Sequence, residues 1–434
     1  MKRVSRYRWF VFAVFFIFIL LHQSDKLLIS SLTTEIQDTF GLDKKESMGA
    51  VLSGALLVGA IMYPVWGYLQ DRFVRPKLLA LASFIWGGTT WLSAIARTYT
   101  GFLVTRASTG IDDSSYPGLY SLLSDYFEPR MRGKVYGLLQ LSQPLGYMLA
   151  LVAATFLKGP LGWRGVFYLT GSIGLVLAAV IFFTIRERPR GRTEPELAEL
   201  DQIGVHRFDW QVAKGLFRKP TMLLLFAQGF VGVIPWNAIV FWFYRYLEEE
   251  RLYAEGDLVM TMMIAVLVVA VGYFVGGVIG DLAFKRTRRG RILVSMMGVL
   301  AGAIFLALTL RVPVADPSLF LVMLVLTALF IPFAAPNVVS SVYDITLPEV
   351  RSTALAIQYF IESLGAAFAP WIVGRIADVP GSSLANAFLL VCIPAWLVGS
   401  ILLGNAAFLV PRDISVLRRQ LRERADQERQ LQRA

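Results

Sequence analysis

An all-α membrane protein of twelve transmembrane helices, arranged as two pseudo-symmetric six-helix bundles, is the fold class this sequence predicts. Composition, run length and an internal repeat carry that expectation. Of 434 residues, 56% are hydrophobic and only 17% charged, with a mean hydropathy of +0.58, too apolar for a soluble domain of this length. A bilayer core about 30 Å thick takes about 20 apolar residues per helix, and such unbroken runs recur along the chain without the alternating pattern of a β-barrel. They place spans near residues 9–31, 47–70, 76–97, 100–125, 132–157 and 163–185, then 220–244, 258–283, 291–311, 318–343, 352–377 and 385–410. An offset of 219 aligns Asp125 with Asp344, Pro129 with Pro348, Arg132 with Arg351, Leu145 with Leu364 and Gly146 with Gly365, which points to a duplicated six-helix unit. The chain then divides into an N-terminal bundle (1–186), a cytoplasmic linker (187–219), a C-terminal bundle (220–410) and a cytoplasmic tail (411–434).

The net charge of +11 raises the question of a nucleic-acid partner, and its distribution answers it. With the N-terminus inside, 31 of the 42 Lys and Arg fall at or beside the segments on one side and nine on the other, with Lys26 and Arg106 within spans. That is the positive-inside asymmetry. It predicts a multi-pass protein of the plasma or inner membrane with both termini cytoplasmic, and no nucleic acid. The basic start (Lys2, Arg3, Arg6, Arg8) and the run from Trp9 to Leu21 lack a small-residue cleavage pattern, so they read as an uncleaved first span.

One cysteine, Cys392, and two histidines, His22 and His206, leave no disulfide framework, no thiol or histidine metal site and no nucleophile–histidine–acid set. The chain is therefore read as neither an enzyme nor a cofactor protein. Between the halves, Pro189, Gly191 and Pro195 interrupt a charged linker with an amphipathic piece from Pro195 to Leu200. The first loop, Glu35 to Glu46, reads as external, and the arginine-rich tail as a solvated helix with anionic lipid as the alternative.

The fourth run carries the chemistry. Arg106 and Asp113 are seven residues apart, so an ideal helix puts them on one face. Ionisable groups at membrane depth face a cavity and mark a substrate or ion path, or else lock two helices together. Counting 1.5 Å per residue puts Asp25 about 24 Å along the first span, level with Arg106, while Asp113 lies deeper. The expectation is a switchable Asp25–Arg106 pair, with Asp113 as a second acid, His22 tuning Asp25 and Asp112 unexplained. Glu362 is a candidate titratable site in the second half. Gln140, Gln143, Gln228, Asn237 and Asn337 either line a cavity or bond between helices. Pro235, Pro332 and Pro336 can break helices beside it.

Span two ends in Gly67-Tyr68-Leu69-Gln70-Asp71-Arg72-Phe73-Val74-Arg75, followed by Lys77 beyond Pro76. It resembles the Gly-x-Leu-x-Asp-Arg-x-x-Arg signature of the major facilitator superfamily. The resemblance implies a cytoplasmic gate at Gly67, Asp71, Arg72 and Arg75. The echo Gly277-x-x-x-Asp281, with Asp125, Arg132, Asp344 and Arg351 from the repeat, completes that set. Within the superfamily, His22 to Lys26, Arg106 with Gly110-Ile111-x-Asp113-x-Ser115-Tyr116, Leu145-Gly146-Tyr147 and Arg186-Glu187-x-Pro189-Arg190-Gly191 resemble motifs of the spinster family of lysolipid and sphingolipid transporters. Asp stands here for that family's Glu at 113, Asp112 for its Gly, and His-Gln for its Asn-Tyr at 22 and 23. The resemblance implies a monomeric secondary active transporter, a proton-coupled symporter working by alternating access. It would move a small or amphiphilic, lysolipid-like or anionic solute, with substrate, protons and membrane lipids as partners. Two alternatives stay open: an organic-anion or drug facilitator without proton coupling, and a non-transporting membrane sensor.

Overall fold

The computed structural model describes residues 2–42, 45–197, 200 and 208–433. Described residues outside the turns are helical, and ten helices are long and apolar enough to cross a membrane. The other two spans are Lys45–Arg72 and a broken segment from Tyr99–Ala107 through Gly110–Asp113 to Tyr116–Ser124. With the fold of its relatives given below, this is the twelve-helix, two-domain architecture. Lys2–Ser31 forms span 1 and starts well before the apolar run. Span 12 runs without interruption into the tail helix, Leu384–Arg433. Large apolar side chains point outward, among them Phe183, Phe156 and Phe408, as lipid requires.

The chain forms two compact units. The first holds residues 1–127, 142–209 and 348–357, and the second 128–141, 210–347 and 358–434. Short pieces at the starts of spans 5 and 11 thus pack with the unit opposite to their sequence half, and the linker through Asp209 belongs to the first unit.

Local chemistry explains where helices start, stop and break. Gly162, at φ 64°, makes the turn before span 6, a conformation that a side chain disfavours. The expected external loop instead holds a helix, Thr33–Phe40, which Gly41 ends in the left-handed region. Its Ile36 enters a cluster with Leu32, Phe102, Trp163 and Phe167. Its Glu35 meets Lys158 at 2.8 Å, and that hydrogen bond holds the carboxyl below its ordinary value. Of the Pro195 to Leu200 piece, residues 198 and 199 lie outside the described residues, as does His206; 195–197 are turns rather than helix.

Span 4 is the main departure from the ideal helix. Thr109 N–H bonds the Arg106 carbonyl and Ser115 N–H the Asp112 carbonyl, both three residues back. Hydroxyls compete for the same acceptors: Ser108 reaches Val104 O at 2.8 Å, Thr109 reaches Arg106 O at 2.7 Å and Ser114 reaches Ile111 O at 2.8 Å. Each residue wound at three per turn adds about 20° relative to an α-helix. Arg106 and Asp113 still both meet span 1, at Asp25 and Lys26, and the added turn brings Asp112 to span 1 beside them. Span 2 takes up carbonyls at the breaks: Trp66 donates to Ile111 O at 2.5 Å and Gln70 to Ser115 O at 2.7 Å. Span 10 repeats the device, with a tight turn at Ile331–Phe333 between its two helical pieces.

The broken span lies close against span 2. A Cβ on Gly110 would run into the Ala55 carbonyl and come within 2.6 Å of Gly59 N, whereas one on Gly88 would meet nothing within 4 Å. We therefore expect Gly110→Ala to lower the thermal midpoint of the purified protein, on the order of 1–3 kcal/mol, while Gly88→Ala leaves it within error. Equal midpoints for the two variants would show that the contact is not tight.

Candidate functional site

Two polar layers sit inside the first unit, both anchored on span 1. In one, both Arg106 terminal nitrogens lie 3.2 Å from Asp25 Oδ2. Thr90 donates to the same oxygen at 3.1 Å and Thr170 to Oδ1 at 2.7 Å. The guanidinium stacks 5.0 Å from the Phe167 ring centre. Asp25 and Arg106 are each 1% exposed. Spans 1, 3, 4 and 6 each contribute, so the pair is held from several sides and buried.

The second layer is wetter. Lys26 Nζ lies 2.8 Å from Asp113 Oδ2, and these side chains stay 25% and 17% exposed. Behind them His22 Nε2 lies 2.5 Å from Asp112 Oδ2, with both side chains essentially fully buried. His22 Nδ1 is 2.5 Å from the Tyr116 hydroxyl, to which Gln23 donates at 3.1 Å. The same ring nitrogen is 3.9 Å from Asp113 Oδ1. His22 was expected to act on Asp25; the rotation of span 4 puts its ring on Asp112 instead. That rotation also gives Asp112, unexplained in the sequence, its buried place beside His22.

The remaining candidates scatter. Glu362 accepts from Gln358 at 3.0 Å and crowds Gly229 in the second unit. Gln143 donates to Tyr147 one turn on, at 3.1 Å, and Asn237 to Val233 O of its own helix at 3.1 Å. Asn337 is fully buried, donating to Gly276 O and Phe333 O at 2.8 Å. It bonds across helices at the span 10 break.

Two of the acids expected at the gate form capping joints. Asp71 accepts from the N–H groups of Ser352 at 3.0 Å and Thr353 at 2.6 Å, the positive start of span 11. Gly67 leaves room: a Cβ there would lie 2.6 Å from Ala356 Cβ. In the second unit Asp281 accepts from Gly133 N–H at 3.0 Å and Lys134 N–H at 2.7 Å, at the start of span 5. The helix starts of the two joints repeat the 219 offset, with Gly133 matching Ser352 and Lys134 matching Thr353, while the two acids stand 210 apart. Arg75 lies 2.7 Å from Asp125 Oδ2 and also holds Glu187. Asp344 is gripped by Arg291, with Arg132 at 3.6 Å. Arg72 departs from the expected gate: it is exposed and turned onto the Tyr68 hydroxyl, because Arg75 on the buried face already meets the carboxylates.

Linker residues to which the sequence assigned no site role complete this end. Arg190 donates to Asp71 O, to Gln70 O at 3.0 Å and to Phe73 O at 3.2 Å, capping the end of span 2. Gly191 N–H reaches Asp125 at 2.7 Å. Glu194, fully buried, lies 2.5 Å from Arg351. A glutamate in a charged linker carries no sequence signal of burial.

A family model described as Major Facilitator Superfamily matches residues 14–315. The chain belongs to the Major Facilitator Superfamily. Among curated relatives of this facilitator, Protein spinster homolog 1 of Xenopus tropicalis is 27% identical over 86% of this chain and 73% of its own length. A probable L-galactonate transporter of Escherichia coli is 26% identical over 91% and 88%. In fold it is similar to the proton:xylose symporter XylE bound to 6-bromo-6-deoxy-D-glucose, with TM-score 0.71 and 16% identity over 93% and 95% of the two chains. A bacterial homolog of the human lysosomal transporter spinster gives TM-score 0.57 and 18% identity over 95% and 98%. The facilitator is thus a multi-pass transporter that resembles the spinster proteins.

Removing one partner of a fully buried ion pair leaves the other charged in a dry site, at a cost of about 3–5 kcal/mol. Asp25→Asn and Arg106→Met should each lower the thermal midpoint strongly, and the double variant by clearly less than their sum; additive losses would sink the pair as an energetic unit. Glu194→Gln should speed proteolysis of the linker in the purified protein by a few-fold, by loosening its hold on Arg351. An unchanged cleavage rate would show that the contact does not fasten the linker.

Proposed function

We propose that this facilitator is a proton-coupled secondary transporter of small or amphiphilic organic anions, working by alternating access in a plasma or inner membrane with both termini in the cytoplasm. The single observation that carries the reading is the Lys26–Asp113 pair, the partly exposed end of an otherwise buried polar network on span 1. Arg106 is committed to Asp25, so anion recognition falls to Lys26 and Arg106 serves as the fixed countercharge beneath it. A substrate carboxylate or phosphate competes with Asp113 for the ammonium, and Asp113, once displaced, takes up a proton because a lone carboxylate at this depth is costly.

Supporting the class of solute are relatives named as a probable L-galactonate transporter and a probable sulfoacetate transporter, beside the lysolipid resemblance of the spinster motifs. The Asp71 and Asp281 joints are the contacts that break and reform as access alternates: each trades hydrogen bonds from a helix start, worth about 1.5–3 kcal/mol to a charged acceptor, for water.

Proteoliposome uptake of labelled L-galactonate and of a labelled lysophospholipid, with and without a pH gradient, tests the reading and separates its two solute classes. Accumulation of either that depends on the gradient supports it, and flux indifferent to the gradient overturns the coupling. Lys26→Gln should raise the half-saturating concentration about tenfold to a hundredfold, the loss of one charge-assisted contact, and Lys26→Arg should restore most of it. A Lys26→Gln protein with unaltered half-saturation would remove Lys26 from recognition.

A further inference from the structure

His22 and Asp112 stand behind the Lys26–Asp113 pair and belong to neither the recognition step nor the gate. We propose that they form one proton-binding site of this chain, loaded through Asp113; as a coupling site it rests on the transport reading above. Asp112 is fully buried, and among the described residues neither of its carboxylate oxygens accepts a well-aligned hydrogen bond. The group that faces it at 2.5 Å is His22 Nε2, itself without another partner. A carboxylate without a donor at such depth costs several kcal/mol, so the imidazole must place a proton in that contact.

The rest of the ring shows how a second proton enters. With one ring proton, it sits on Nε2 facing Asp112, and Nδ1 accepts from the Tyr116 hydroxyl at 2.5 Å. The couple then carries one buried negative charge. Adding a proton to Nδ1 gives an imidazolium beside the carboxylate and brings the couple to zero. Nδ1 now donates to the Tyr116 oxygen, which still accepts from Gln23, so the phenolic hydrogen must turn to another acceptor. Asp113 Oδ1, 3.9 Å from that ring nitrogen, is the next carboxylate and is already engaged by Lys26. Protonation of the couple thus puts a positive charge 3.9 Å from Asp113 Oδ1, which competes with Lys26 for that carboxylate and ties proton binding to anion binding.

Charged and titratable neighbours of the couple come from several spans. Span 1 supplies Lys26 and span 4 Asp113 and Tyr116. Tyr63 on span 2 acts on Tyr116, and Tyr147 on span 5 acts on Lys26. The apolar walls are Trp86, 5.3 Å from the His22 ring centre, and Phe18, stacked at 5.9 Å.

With His206 as the only other histidine, the site can be read directly. Protein carrying ¹⁵N-labelled histidine in nanodiscs is titrated by NMR between about pH 5 and 8, with His206→Gln to isolate the His22 signals and His22→Gln to confirm them. The expected result is the Nε2–H tautomer at high pH, gaining a second proton as pH falls. In Asp112→Asn that step moves by at least one pH unit toward acid, or leaves the window. A His22 that keeps one form throughout, or titrates identically in Asp112→Asn, overturns the site and leaves the transport reading standing. Titration as expected together with a flux indifferent to the pH gradient supports the proton site and overturns the coupling. Should Asp112→Asn fold poorly, the wild-type tautomer and its pH step decide alone.

Discussion

No charge stays alone at membrane depth, and the interior of the first unit is arranged around that constraint. Asp25 and Arg106 meet it with two threonine hydroxyls and a phenylalanine face. Lys26 and Asp113 meet it with each other and with partial exposure. His22 meets Asp112. Three carboxylates and three nitrogen bases within a few helical turns leave each group dependent on the next.

Span 4 makes the arrangement possible by failing to be a regular helix. Hydroxyls at 108, 109 and 114 draw its carbonyls out of the α pattern, and span 2 side chains recover others. The cost of irregular backbone in an apolar setting is met because those groups are buried in protein rather than lipid. Without the tighter winding, Asp112 would not reach His22, and this chain's departures from the spinster motif would have no common place.

In each unit, helix starts serve where salt bridges alone would be expected. Asp71 and Asp281 bind backbone N–H groups of spans 11 and 5, contacts that depend on helix ends rather than on long flexible side chains. The linker adds Glu187, Arg190 and Glu194 to the same network, so it works as a fastening and not as a tether.

The sequence alone determined the class of protein, the twelve spans, the duplicated halves and the acids and bases worth watching, because those depend on composition, run length and spacing. It also placed Asp25 and Arg106 at one depth, which needs only the rise per residue. Tertiary structure decided who meets whom. Rotation about span 4 depends on local competition for carbonyls, which added an Asp112–His22 contact beside the face that Arg106 and Asp113 present to span 1. Burial of Glu194 and exposure of Arg72 depend on which face of a segment its neighbours cover. Depth is a sum along one chain, whereas azimuth and partnership are properties of several helices packed together, and no single run of residues carries them.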